Sequence, residues 1–337
     1  MSMTPARPVD PQASPGRLVV AIDDGYASYD QEEALLAQVG ARFALRPVRG
    51  NEQAAVQAVQ GADVVLVRES PVSRAVIAAM DRCKAVIRYG IGVDNIDQRA
   101  ASERGVMVAN VPDYGTDEVS SHAVALALSV SRRLWLHDRE VRSRRWSTGV
   151  LQPMYRLRGR TLGLIGFGRI ARMTLEKFSG FGFARVLVHD RHAQLPAGIE
   201  AADLDTLCSQ SDVISLHAPL NDTTRHLIDA RRIALMKSTA IVVNTARGGL
   251  LDSDALYEAL SVRRILGAGL DVFEQEPPGD HKLFTLDNVV VTNHMGWYSE
   301  EAMRDLQLKT AQEAARVLQG EPPLNWLNRG RAAALST

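Results

Sequence analysis

The sequence has few cysteines, no surplus of charge and no long apolar run, and each shortage removes a class of protein. Only Cys83 and Cys208 occur in 337 residues, with no C-x-x-C pair. Neither a disulfide framework nor a cysteine-rich metal site is therefore expected, and a reducing, cytoplasmic setting fits. Lys plus Arg number 39 and Asp plus Glu number 39, which leaves no net field to hold a nucleic-acid backbone or an anionic membrane surface. A charged ligand has to be met by local groups. No uncharged apolar stretch reaches the ~20 residues that a membrane-spanning helix needs. The opening MSMTPARPVDPQASPG lacks the apolar segment of a signal peptide, and residues 1–16 read as a disordered tail. No repeat of solenoid length is evident, and the length favours two domains over one.

What is present is an alternation. Short Val/Ile/Leu runs (RLVVAID, FALRPV, DVVLV, KAVIRY, VMVAN, then TLGLIG, RVLVHD, DVISLH, AIVVNTA, LGAGLDV, VVVTNH) are separated by amphipathic helical stretches. That is the pattern of α/β domains whose parallel sheets are covered by helices on both faces. Between the two series, residues 119–146 contain neither Pro nor Gly. They read as one long helix or two abutting ones, with Thr116 as the expected cap and Asp117 and Glu118 at the positive helix end. After Ser299, Glu300 and Glu301 a last helix runs to Gly320 and Pro322.

The strands of the second series share a feature at their right ends. Asp190, His217, Asn244 to Arg247, Asp271 and His294 each stand where an apolar run stops. In an open doubly wound sheet the ligand crevice lies outside the carboxyl ends of the strands, so these residues would gather along one edge. His294, at the mouth of the apparently buried run VVVTNHMGW, would then face the crevice.

The segment GLIGFGRIA, residues 163–171, follows a strand and opens a helix, the context that gives a G-x-G-x-x-G/A element its meaning. Gly166 permits the tight turn, Gly168 lets backbone N–H groups approach a pyrophosphate, and Ala171 allows close packing of helix on strand. Asp190 lies 22 residues beyond Gly168, near the ~20 expected for the acid that binds a ribose. A carboxylate there accepts from two ribose hydroxyls and repels a phosphate, which predicts NAD over NADP. A nicotinamide cofactor supplies hydride but needs a proton donor and a substrate anchor from the protein. His294 suits the first task. Arg247 suits the second, because a planar guanidinium grips a carboxylate through two parallel hydrogen bonds. Glu276 could pair with the imidazole, favouring its charged form and fixing its orientation.

VNTARGGLLD, GLDVFEQEPP and VTNHMGWYSEEA, together with the glycine loop, closely resemble the D-isomer-specific 2-hydroxyacid dehydrogenase family. The resemblance implies that Arg247 binds the 2-oxo acid, Glu276 assists the base and His294 is the acid/base. It also implies two doubly wound parallel-sheet domains with the active-site cleft between them. A flavodoxin-like substrate domain (residues 17–112 and 299–330) would be interrupted by a Rossmann NAD domain (113–298). By the same resemblance, Gly90, Ile91 and Gly92 bind the substrate carboxylate through their backbone, and Arg68 faces the substrate. Arg169 and Ile170 meet the pyrophosphate. Ala218, Thr245, Ala246 and Gly296 belong to the cofactor site, and Asp271 meets the nicotinamide carboxamide. The segment after His294 is similar to that of the C-terminal binding protein corepressors and their bacterial dehydrogenase relatives, with Trp297 forming an apolar wall of the substrate pocket. An NADH-sensing interaction protein is therefore the alternative to an enzyme. Family members commonly dimerise through the region that holds Trp135 and Trp146 here, so a homodimer joined through the NAD domain is expected.

Overall fold

A computed structural model describes residues 16–146 and 153–330; the greater part of the N-terminal tail, residues 1–15, lies outside them. In chain order the first elements are β1 (Arg17–Ala21), α1 (Asp30–Gln38), β2 (Ala41–Leu45), α2 (Glu52–Ala58), β3 (Val64–Val67), α3 (Arg74–Ala78), β4 (Ala85–Arg88), α4 (Gln98–Glu103) and β5 (Met107–Asn110). Then come α5 (Thr116–Arg132), α6 (Leu134–Arg142), β6 (Thr161–Ile165), α7 (Arg169–Phe178), β7 (Arg185–His189), β8 (Glu200–Ala201), α8 (Leu204–Gln210) and β9 (Val213–Leu216). The series closes with α9 (Ala230–Leu235), β10 (Ile241–Asn244), α10 (Ser253–Ser261), β11 (Gly267–Leu270), β12 (Val289–Val291) and α11 (Glu300–Leu318). The chain divides into two compact units, one built from residues up to Tyr114 and from Glu300 onward, the other from Gly115 to Ser299.

The first unit holds a five-stranded sheet in the order β2-β1-β3-β4-β5, every pairing parallel. This is the flavodoxin-like order 2-1-3-4-5. β3 is buried at all four positions, as expected of a strand covered on both faces. One face carries Val20, Val65, Val76, Ile77, Val86 and Ala101. On α1, Glu32 is wholly buried. It accepts from the Tyr89 hydroxyl at 3.0 Å and from Gln307 Nε2 of α11 at 3.0 Å. The same Gln307 amide donates to the Ser28 carbonyl at 2.8 Å, so one polar residue clamps the returning C-terminal helix onto α1.

The second unit holds a seven-stranded parallel sheet in the order β12-β11-β10-β9-β6-β7-β8. Counted from β6 this is 3-2-1-4-5-6 with one strand added, the Rossmann order, and the direction of winding reverses between β6 and β9. Apolar cores fill both faces: Leu207, Ile214, Val242 and Leu256 on one, and Ala123, Leu126, Leu164, Ala171 and Val243 on the other.

Two local expectations are corrected, and the choice between one long helix and two abutting ones is decided. Thr116 is the first helical residue and Gly115 is the cap, with no side-chain capping bond. A Cβ on Gly115 would stand 3.2 Å from the Trp297 carbonyl oxygen, which leaves little room there for a capping side chain. The apolar stretch that follows breaks into α5 and α6 at Arg133, a left-handed residue with φ +50°. The run VVV is not a buried strand: β12 is the sheet edge, and Val291 is 39 % exposed.

Candidate active site

The glycine loop sits at the reversal of winding. Gly166 has φ +87°, and a Cβ on it would lie 2.8 Å from the carbonyl carbon and oxygen of His217 and 2.9 Å from the Ala218 nitrogen. Only glycine tolerates both that backbone and that approach of the β9 end. His217 is half-buried there, its Nε2 2.9 Å from Ser215 Oγ. Burial pushes its pKa down to about 4, so it carries no charge at neutral pH. Gly168 caps α7, and the space its Cβ would enter is open. Arg169 is exposed and Ile170 half-buried in the first turn of that helix, where N–H groups and the helix dipole favour an anion. Ala171 is fully buried in the core under the loop.

Asp190 is exposed just beyond the end of β7. Its Oδ2 accepts from Phe167 N at 2.8 Å, and its Oδ1 from His192 N at 2.8 Å and Ala193 N at 2.9 Å. Burial pushes this carboxyl up, but the three N–H groups of His192, Phe167 and Ala193 outweigh it and hold the pKa below the ordinary carboxylate range. Asp190 is therefore an ionised acceptor tied to the glycine loop.

Arg247, Glu276 and His294 follow the ends of β10, β11 and β12. Asn244 at the end of β10 shapes the turn that carries Arg247: its Nδ2 donates to the Arg247 carbonyl at 2.9 Å, and its Oδ1 accepts from Ala246 N at 3.0 Å. Gly248 draws this turn against the segment after β11, since a Cβ would fall 1.9 Å from the Phe273 carbonyl carbon. Arg247, half-buried, donates from Nη1 to the Ala246 carbonyl at 2.7 Å. Glu276 Oε1 accepts from Phe273 N at 2.9 Å, and Oε2 lies 2.6 Å from His294 Nδ1. Burial raises the Glu276 pKa, but the His294 hydrogen bond and charge, the Phe273 N–H and the positive charge of Arg247 together lower it below the usual range. An ionised carboxylate only accepts, so His294 Nδ1 carries the proton of that bond. His294 is 41 % exposed and stands in the left-handed region at φ +58°. Its N–H donates to the Asp271 carbonyl at 2.8 Å.

Residues 124–296 match the family model described as D-isomer specific 2-hydroxyacid dehydrogenase, NAD binding domain. The chain belongs to that family. It is 39 % identical over 279 residues to D-3-phosphoglycerate dehydrogenase of Methanocaldococcus jannaschii, covering 81 % of this chain but only 53 % of that one, so it spans about half the length of this relative. It is 39 % identical over 258 residues to glyoxylate reductase of Thermococcus litoralis, covering 74 % of this chain and 78 % of the other. Among solved structures, D-lactate dehydrogenase from Aquifex aeolicus, complexed with NAD and lactic acid, superposes with a TM-score of 0.81 at 27 % identity, covering 90 % of this chain and 96 % of that one.

NAD is the cofactor of this family's domain, and the residues present fit it. Gly166 is crowded by the β9 end, the face over Gly168 is open and the carboxylate of Asp190 is exposed. Thr245 adds a buried hydroxyl with no hydrogen-bond partner among the described residues, a cost of about 1–3 kcal/mol that a ligand amide or hydroxyl would remove. Ala218 and Ala246, both half-buried, follow β9 and β10 at the same sheet edge.

Asp271 is 2 % exposed and spends both oxygens on the histidine turn, accepting from Thr292 Oγ1 at 2.5 Å, Met295 N at 3.0 Å and Gly296 N at 2.9 Å. Trp297 is half-buried with its ring edge-on to Tyr298 at 5.7 Å between centroids. In the first unit, the Arg68 guanidinium pairs with Glu69 at 3.1 Å, donates to the Gly25 carbonyl at 3.3 Å and lies over the Tyr26 ring. Gly90, with φ +145°, gives its N–H to the Arg88 carbonyl at 2.9 Å, and Asn110 Nδ2 donates to the Ile91 carbonyl at 2.6 Å. Any carboxylate contact from this loop thus falls to Ile91 and Gly92. Sequence reasoning missed His122 and Thr292, which join Asp271. The only signal for His122 is an imidazole set among the apolar positions of α5.

Proposed function

We propose that the protein reduces a small 2-oxo acid to a D-2-hydroxy acid with NADH, and runs the reverse oxidation. The observation that carries this is the 2.6 Å pair of His294 with an ionised Glu276, formed beside the Arg247 turn. When bound, NADH supplies hydride to the carbonyl carbon. With Nδ1–H held by Glu276, His294 presents Nε2 to the substrate and gives its proton to the carbonyl oxygen, so the ketone becomes an alcohol. Glu276, itself held by Phe273 N–H, stabilises the imidazolium before transfer and keeps the ring from turning. Arg247 holds the substrate carboxylate and polarises the carbonyl, assisted by the backbone N–H groups of Ile91 and Gly92. Asp190 selects NADH over NADPH. Arg68 and Trp297 are the side chains assigned to substrate choice. The same reading gives a homodimer joined through α6, working in a reducing, cytoplasmic setting.

A panel of 2-oxo acids (glyoxylate, hydroxypyruvate, phosphohydroxypyruvate, branched and thioether acids), followed by nicotinamide absorbance with NADH, tests the proposal. Turnover of at least one acid is expected. His294→Gln should bind NADH as the parent does, read by fluorescence, while kcat falls by about 10²–10⁴. Silence across the panel, or undiminished kcat in the His294→Gln variant, defeats it.

A further inference from the structure

The geometry points to His122 as a further positioning residue, which holds the turn carrying His294 from behind; this inference rests on the acid/base role proposed above. His122 lies in α5, one side of it packed on the core through Val119 and Ala123. Its Nε2 is 2.9 Å from Thr292 Oγ1 and 3.5 Å from Asp271 Oδ1. The direction of each bond can be assigned. Burial raises the Asp271 pKa, but His122, Thr292 and Gly296 N–H outweigh it and keep the carboxyl ionised, so it only accepts. Thr292 must then give its single hydroxyl proton to Asp271 Oδ1 at 2.5 Å. Thr292 Oγ1, its proton so used, can only accept from His122, so His122 Nε2 carries a proton. The chain is thus His122 Nε2–H to Thr292 O–H to Asp271, whose two oxygens gather the N–H groups of Met295 and Gly296 at 3.0 and 2.9 Å.

These contacts flank His294 on both sides in sequence. A left-handed backbone at a residue with a Cβ costs of order 1–3 kcal/mol and persists only where its surroundings over-determine it. Here the surroundings are Thr292 before it, Met295 and Gly296 after it, and the Asp271 carbonyl on its own N–H. His122 also closes the space at Gly296, where a Cβ would stand 2.8 Å from Asp271 Oδ2 and 3.1 Å from His122 Cδ2. Removal of the His122 donor frees Thr292 to rotate and release Asp271, and the imbalance passes to the φ of His294 and to its aim at the substrate oxygen. Misplacement of an acid/base by about 1 Å is worth up to about a hundredfold in rate.

The test compares His122→Phe, which keeps the bulk and removes the donor, with His122→Gln, which keeps an N–H donor at similar reach. The Phe variant should lose about tenfold to a hundredfold in kcat with KM and NADH affinity within about twofold of the parent; the Gln variant should recover most of the loss. Amide hydrogen exchange across residues 292–296 is measured on the same proteins in parallel, with faster exchange expected at Met295 and Gly296 in the Phe variant only. A kcat within twofold of the parent in the Phe variant overturns the inference, as does a uniform fall in kcat, NADH affinity and Tm that Gln does not reverse. If the parent reduces no 2-oxo acid, the proposed function fails. The exchange data then decide the role of His122 by themselves, with unchanged exchange in the Phe variant counting against it.

Discussion

Asp190 and Glu276 show how the same side-chain chemistry is put to two uses by what surrounds it. Three backbone N–H groups aim Asp190 outward as a fixed acceptor, whereas one N–H and one imidazole hold Glu276 as the brace of His294. Replacement of Asp190 by Ser should therefore raise the KM for NADH by about tenfold, the worth of one to two hydrogen bonds to a charged group, and narrow the preference over NADPH. Initial rates with both cofactors check this, and an unchanged ratio removes Asp190 from cofactor selection. At this scale the sequence offers the residue types that hydride chemistry at a carboxylate-bearing carbon needs, an acid/base, a cation and a bidentate acceptor, and the fold brings His294 within 2.6 Å of Glu276. The other hydrogen-bond partners were not legible in the sequence. Nothing in the chain order shows that Asp271 serves the turn of His294, or that Gly90 gives its N–H to Arg88.

Among the elements, the strands were the easiest to read, since parallel strands buried on both faces appear as short unbroken apolar runs. The eleven runs quoted from the sequence coincide with eleven of the strands; β8, two exposed residues long, has no apolar signal. Helix boundaries were harder, as the break at Arg133 and the cap at Gly115 depend on neighbours distant in sequence. The clamp between α1 and α11 yields a prediction. Burial raises the pKa of Glu32 above the ordinary carboxylate value, only partly offset by Gln307 and Tyr89. A raised carboxyl pKa means the charged form is disfavoured in the folded state. The contribution of Glu32 is thus fully favourable below its unfolded pKa, about 4.3, and is lost as pH rises through the folded value. Glu32→Gln keeps an acceptor for both donors and removes the charge. It should raise Tm by about 2–4 °C at pH 8, the effect of ~1 kcal/mol in a unit of this size, and by less at pH 4. Calorimetry at the two pH values decides; an equal or larger gain at pH 4 would show that burial of the charge is not the operative cost.

For the whole molecule, the two sheet orders establish two doubly wound units, and the second bears the NAD-binding domain. No described helix is long and apolar enough to cross a membrane. The proposed homodimer has a physical basis in α6, where Leu134 and Val141, seven residues apart on one helical face, are 56 % and 53 % exposed, and in Trp146 just beyond that helix, 82 % exposed. Sedimentation should give a dimer, and Val141→Glu should move it toward monomer, because one buried charge at an apolar interface costs several kcal/mol. A monomeric parent chain would remove the proposal. By itself the sequence determined the class of fold, the strand list and the glycine loop followed by an acid, because periodicity and short-range spacing are local properties of a chain. Only the tertiary structure decided that β12 is an edge, that Gly248 brings the Arg247 turn against the Glu276 segment, and that His122 stands behind His294. Each of those depends on which strands pair and how closely two backbones approach, and residues far apart in the chain settle both.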